Sequence, residues 1–237
     1  MTKTENNQQF KDLDKLQVKY KVVSSILSDV YGELEWQPGQ SPMDELVSCI
    51  LSQNTNDNNR DKAFDALKAR YTSWQDVVNA PQDELIDTIR PAGLANQKGR
   101  SIQNALERIY EERGAYDIEF LRDMSIQDAK DWLTNLRGIG PKTAAIVLCF
   151  GFGLPAFPVD THVHRTSKRI GFIPDKISAD KAHPAMEVIV PPEDYYAFHI
   201  FLIRHGRDTC NARKPLCNQC PLTQHCDYYI NVIQNDA

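Results

Sequence analysis

Apolar residues return at helical spacing along nearly the whole chain. Behind Ser41-Pro42-Met43-Asp44, where Ser suits an N-cap and Pro the first helical position, Met43, Leu46, Val47, Ile50 and Leu51 fall on one face. Phe64, Leu67 and Tyr71 mark a second helix, and a third begins near Ser73. A fourth opens at Pro81 and carries Leu85, Ile86 and Ile89 before Pro91 and Gly93 end it. Over 97–112, Ile102, Ala105, Leu106, Ile109 and Tyr110 form one stripe. Ser125 to Asp128 resembles a capping box ahead of Ala129, Trp132, Leu133 and Leu136. No stretch alternates with period two over a useful length. The pattern predicts an all-α protein of short helices joined by tight Pro/Gly punctuation.

Composition narrows the class without changing it. A chain of 237 residues makes one large domain or two small ones, and 41% apolar with 25% charged residues excludes disorder, collagen and coiled coil. The polar start, Met1 to Leu16, has no signal-peptide core. The uncharged stretch 144–159 is broken by Gly151, Gly153, Pro155 and Pro158 and is shorter than the ~20 residues that span a bilayer. The expectation is a cytoplasmic protein with no membrane partner. Net charge is −5 with pI ≈ 5.7, which at face value argues against phosphate binding. The charges are segregated, however. Residues 137–169 hold five basic side chains against one acidic, and 204–217 hold four against one, while 41–90 hold nine acidic against five basic. The basic segments are the ones with candidate chemistry.

Leu136-Arg137-Gly138-Ile139-Gly140-Pro141-Lys142-Thr143-Ala144 joins two helices through a turn with two glycines. The first helix is expected to end at Gly138, and Pro141 suits the start of the next. Gly140 lets the backbone approach another molecule, and the unpaired N–H groups of a new helix form an anion site that suits a DNA phosphate. Lys142 sits at the end of the helix that is wrong for a cation. The helix field and partial burial would lower its amine's pKa and make it a nucleophile. Asp160, in Pro158-Val159-Asp160-Thr161-His162, reads either as a plain N-cap or as a carboxylate that stabilises a developing sugar cation.

Four of the six cysteines crowd near the end as Cys210, Cys217, Cys220 and Cys226, spaced C-x6-C-x2-C-x5-C. Zinc usually takes two separated knuckles, whereas one wrapped loop suits a cubane cluster, so the spacing favours iron–sulfur over zinc. Cys49 and Cys149 lie inside apolar helical patterns and read as small buried hydrophobes.

Four strings in order carry a resemblance: Leu51-Ser52-Gln53-Asn54-Thr55, Gly138-Ile139-Gly140-Pro141-Lys142-Thr143-Ala144, Val159-Asp160-Thr161-His162, and His205-Gly206-Arg207 running into the cysteines. Together they span about residues 40–228, and the sequence resembles the endonuclease III family of helix-hairpin-helix DNA glycosylases. The resemblance implies two helical domains flanking a DNA-binding cleft. One is a six-helix barrel over 35–153; the other joins 1–34 to 154–237 and carries a [4Fe-4S] cluster on the cysteine loop at 210–226. It implies a monomer that acts on double-stranded DNA in the cytoplasm, at the nucleoid, flipping the damaged nucleotide out of the duplex. Lys142 would attack the sugar C1′, with Asp160 assisting. Its presence implies a bifunctional glycosylase and AP lyase, acting on oxidised pyrimidines. The alternatives are a mismatch or purine-lesion glycosylase on the same scaffold and, from another class, a non-catalytic DNA-binding iron–sulfur protein. Gln53 and Asn54 would face DNA, and Asn54 stands where the family's prototype has a glutamine that fills the gap left by the flipped base. Leu94, in Gly93-Leu94-Ala95-Asn96-Gln97-Lys98, is either a wedge between bases or core packing after a helix end. Gly138, Gly140 and Thr143 would meet phosphate. Thr161, His162 and Arg165 would contact phosphate or only cap their helix.

Overall fold

The computed structural model describes residues 3–233, with side chains from residue 12 onward. Every regular element among the described residues is helical. In chain order they are α1 (Lys3–Tyr31), α2 (Pro42–Ser52), α3 (Asp57–Arg70), α4 (Trp74–Asn79), α5 (Gln82–Thr88), α6 (Ala95–Arg113), α7 (Ile126–Thr134), α8 (Pro141–Ile146), α9 (Thr161–Ile170), α10 (Ala179–Ile189) and α11 (Tyr195–Asp208). The chain divides into two compact units, Gln37–Leu154 and Met1–Trp36 with Pro155–Ala237.

In the unit 37–154, α2 is the central element. Ser41 caps it by accepting the Asp44 N–H, Pro42 occupies its first turn, and the predicted face Met43, Leu46, Val47, Ile50 and Leu51 is buried. It packs on α3, α6, α8 and the π-helical turn Val147–Gly151 that continues α8. Gly151 lies so close to α2 that a Cβ there would be 3.3 Å from the Pro42 Cα. Ser73 opens α4 with a reciprocal capping box, and Ser125 caps α7. Two boundaries differ from expectation. α7 ends at Thr134, not Gly138, and the turn from 135 to 140 continues through three-residue bonds, Leu136 N–H to Leu133 O and Ile139 N–H to Leu136 O. Gly138, at φ 88°, lies inside that turn. Likewise α5 ends at Thr88, and Pro91 sits in a separate 3-10 turn, Arg90–Ala92, closed by Gly93.

The other unit is built on α1, α9, α10 and α11, and α9 buries Val163 and Ile170. α1 buries Tyr20, Val23 and Leu27, one helical face, against α10 and α11. Phe157 and Phe198 are fully buried at its centre, with Tyr20, Tyr195 and Phe172 set edge-on around them.

Candidate functional sites

The hairpin leaves α8 uncapped. Gly140 supplies no side chain, and the first helical bond is Ala144 N–H to Gly140 O at 3.0 Å, so the N–H groups of Lys142 and Thr143 precede it unpaired. Nothing lies within 4 Å of where a Gly140 Cβ would stand, so the start of the helix is open to another molecule. Lys142 is exposed on this first turn and lacks the partial burial expected of it. Thr143 is buried. Below the hairpin, burial and the Glu45 carboxylate, which accepts from the thiol, push Cys49 up, while the charge of Lys142 opposes them.

Two loops of the same unit carry the remaining candidates. Gln53 turns inward, donating its amide to Gly138 O at 3.0 Å, and so braces the hairpin. Asn54 is exposed with φ 52°, and Leu94 is 54% exposed with φ 47°. Among the described residues these are the two non-glycine positions of positive φ. Leu94 therefore does not pack in the core; it stands out from the surface as the N-cap of α6.

In the other unit Asp160 does cap α9, its Oδ1 accepting from the Val163 N–H at 2.7 Å. The approach to it is an irregular buried stretch whose polar groups are satisfied by side chains. His183 Nδ1 donates to Phe157 O and His199 Nδ1 to Pro158 O, each at 2.9 Å, and Phe157 N–H donates to Glu187 at 2.9 Å. A carbonyl only accepts, so each of these histidines carries its proton on Nδ1. The helical pattern holds no hint of these three positioning residues, because their partners lie 26 to 41 positions away. Thr161 is exposed and His162 half-buried.

Arg165 is half-buried. It donates to Cys210 O at 3.1 Å and Gly206 O at 2.8 Å and meets His162 Nδ1 at 3.2 Å, so its Nε and Nη2 brace the chain leading into the cysteine loop. One turn on, Arg169 bonds Cys210 Sγ, Asn211 O and Ala212 O, lies over the Tyr228 ring, and accepts at its own carbonyl from the Cys226 thiol. Cys210, Cys217, Cys220 and Cys226 line one cavity with His205, Ile170 and Leu222. Among the described residues no three His, Cys, Asp or Glu side chains converge on a point as the ligands of a single ion would. Burial pushes the Cys220 thiol up to about 11, and neighbouring cysteines add to it, as they do at Cys217 and Cys226. His205, pushed down to about 4 by burial, stays neutral, with Nε2 3.8 Å from Cys220 Sγ and a buried Nδ1 that has no partner. Four thiols gathered round one cavity, with Cys217, Cys220 and Cys226 resisting ionisation, fit a sulfur-ligated metal group whose positive charge would reverse that resistance.

The pattern of the HhH-GPD superfamily of base excision DNA repair proteins matches residues 47–192. The endonuclease III of Sulfolobus acidocaldarius is 35% identical over 192 residues, 80% of this chain and 83% of that protein. A solved non-covalent endonuclease III–DNA complex superposes with a TM-score of 0.79 at 28% identity, covering 92% of this chain and 98% of that one. A trapped endonuclease III–DNA covalent intermediate does so with a TM-score of 0.71 at 29% identity, covering 95% and 98%. Motif order, helical fold and these similarities agree: the chain belongs to the endonuclease III family within the HhH-GPD superfamily of base excision DNA repair proteins.

Proposed function

We propose that this chain removes oxidised pyrimidines from double-stranded DNA as a glycosylase and then cuts the strand as an AP lyase. The observation that carries the reading is an exposed lysine on the uncapped, unobstructed first turn of α8. There the free N–H groups suit a phosphate, and the amine can reach a sugar beside it. The deprotonated Lys142 amine attacks C1′, the bond from C1′ to the base breaks, and the base leaves with a proton. Opening of the sugar ring gives a C1′=N Schiff base. Loss of a C2′ proton then expels the 3′ phosphate by β-elimination. Asp160 has one oxygen engaged as the α9 cap; the other is available to stabilise positive charge on the sugar and to carry protons.

Cys210, Cys217, Cys220 and Cys226 would hold a [4Fe-4S] cluster, which when bound supplies a cross-link within the terminal loop and a one-electron redox centre. Arg165 and Arg169 hold the Cys210–Ala212 segment in place from α9. Asn54, Leu94 and the hairpin around Gly138 and Gly140 would form the DNA-facing surface of their unit.

Borohydride reduction of enzyme mixed with an abasic-site duplex tests the chemistry. Wild type should give a covalent adduct and Lys142→Gln none. A wild type that fails to trap, or a variant that traps equally well, overturns the Schiff-base mechanism.

A further inference from the structure

Lys98 is 2% exposed, a lysine among the largest fully buried side chains of the described residues. Its ammonium donates to Leu51 O at 2.8 Å and to Ala92 O at 2.7 Å. Both acceptors stand at helix ends. Leu51 O is among the last carbonyls of α2, and Ala92 O closes the 3-10 turn Arg90–Ala92. Carbonyls at such ends have no intrahelical partner, and a cation there is favoured by the helix field. One buried charge thus caps two segments 41 residues apart in sequence.

Each cap is succeeded by a strained loop. Two residues after Ala92 comes Leu94, and three after Leu51 comes Asn54, the two left-handed non-glycine residues. For leucine such a conformation is strained and persists only where the surroundings over-determine it, while asparagine adopts it more readily. Lys98 supplies part of that determination for both loops at once. The Leu94 carbonyl also accepts the backbone N–H groups of Gln97 and Lys98, so the lysine's own backbone belongs to the turn that its side chain anchors. Burial pulls its pKa down, and the two carbonyls are the acceptors its ammonium meets there.

We infer that Lys98 is a positioning residue that couples the Asn54 and Leu94 loops, so that wedge insertion and filling of the emptied base position occur as one concerted step on duplex DNA. The inference rests on the proposed glycosylase reading and adds a distinct requirement to it. Coupling is needed only where a base stack must be opened; a single-stranded abasic substrate, with no opposite strand to wedge, should not need it.

The test compares wild type with Lys98→Met, which keeps the buried chain and removes the charge, on two substrates. In stopped flow, 2-aminopurine opposite an abasic site in a duplex reports wedge insertion; borohydride trapping on a single-stranded abasic oligonucleotide reports the nucleophile. We expect Lys98→Met to slow the duplex signal by about 10-fold or more, the scale on which small misplacements act, while single-strand trapping changes by less than about twofold. In a chain already carrying Asn54→Ala and Leu94→Ala, Lys98→Met should add little, because the residues through which it acts are gone. A normal duplex signal in Lys98→Met, equal loss on both substrates, or full additivity with the loop variants each overturns the coupling. A wild type that gives neither the duplex signal nor single-strand trapping overturns the glycosylase reading instead.

Discussion

Replacing Asp160 separates the two jobs that its carboxylate combines. Oδ1 accepts the Val163 N–H at 2.7 Å in a half-buried position, a good N-cap by distance and by its extended backbone. Asp160→Ala removes the acceptor and leaves that N–H without its partner, at a cost of about 1 kcal/mol within a usual range of about 0.5–2. For a chain of this size that corresponds to a melting shift of roughly 2–4 °C per kcal/mol. Asp160→Asn keeps an oxygen on the same geometry. Asn and Asp cap about equally, so its loss should stay within about 0.5 kcal/mol, mostly the missing charge at the helix start. Activity should divide differently. If the carboxylate charge stabilises the sugar cation, both variants lose about 10²–10³-fold in single-turnover excision, since an amide carries no charge. Urea denaturation and excision from a duplex with one oxidised pyrimidine measure the two quantities. Excision by Asp160→Asn within a few-fold of wild type would refute the electrostatic role. Equal destabilisation of Asn and Ala variants would refute the capping account.

Gly138→Ala should cost about 1–2 kcal/mol by urea denaturation, because φ is 88° and the new Cβ would lie 2.9 Å from Ser101 Oγ; adding Ser101→Ala should relieve only the contact. Protein prepared anaerobically should be brown and contain iron, and Cys217→Ser should lose the colour and lower the first thermal transition; zinc in place of iron in the wild type would sink the cluster assignment. Affinity for undamaged duplex should fall only modestly with salt, with a log–log slope smaller in magnitude than about 5, since Arg165 and Arg169 both direct donors to the chain's own carbonyls. A steeper slope, seen by fluorescence anisotropy across a salt series, would mean a wider phosphate footprint than these residues leave available.

Much of the fold is legible from local pattern. Met43 to Leu51 reads as a buried helical face because the spacing of its apolar residues is itself the geometry of the helix, and Ser41, Ser73 and Ser125 mark starts because a cap bonds only a few residues away. Local pattern fails where it competes with turn geometry. Gly138 has a stop signal, yet α7 ends four residues earlier and three-residue bonds carry the chain onward to it. It also under-reads α1, whose buried face of Tyr20, Val23 and Leu27 is interrupted by exposed Val18 and Val22.

The sequence by itself determined the helical class, the family strings, the lysine at a helix start and the four-cysteine loop, because each depends on residues close together in the chain. Only the tertiary structure decided what the charged and polar side chains do. It exposes Leu94, buries Thr143, turns Gln53 onto the hairpin, and directs Arg165 and Arg169 into the cysteine loop. It also sets one buried lysine between two left-handed loops and two histidines beneath the approach to Asp160. The physical reason is common to all of these: which carbonyls and N–H groups remain unpaired is settled only when distant segments meet, and those unpaired groups choose their partners.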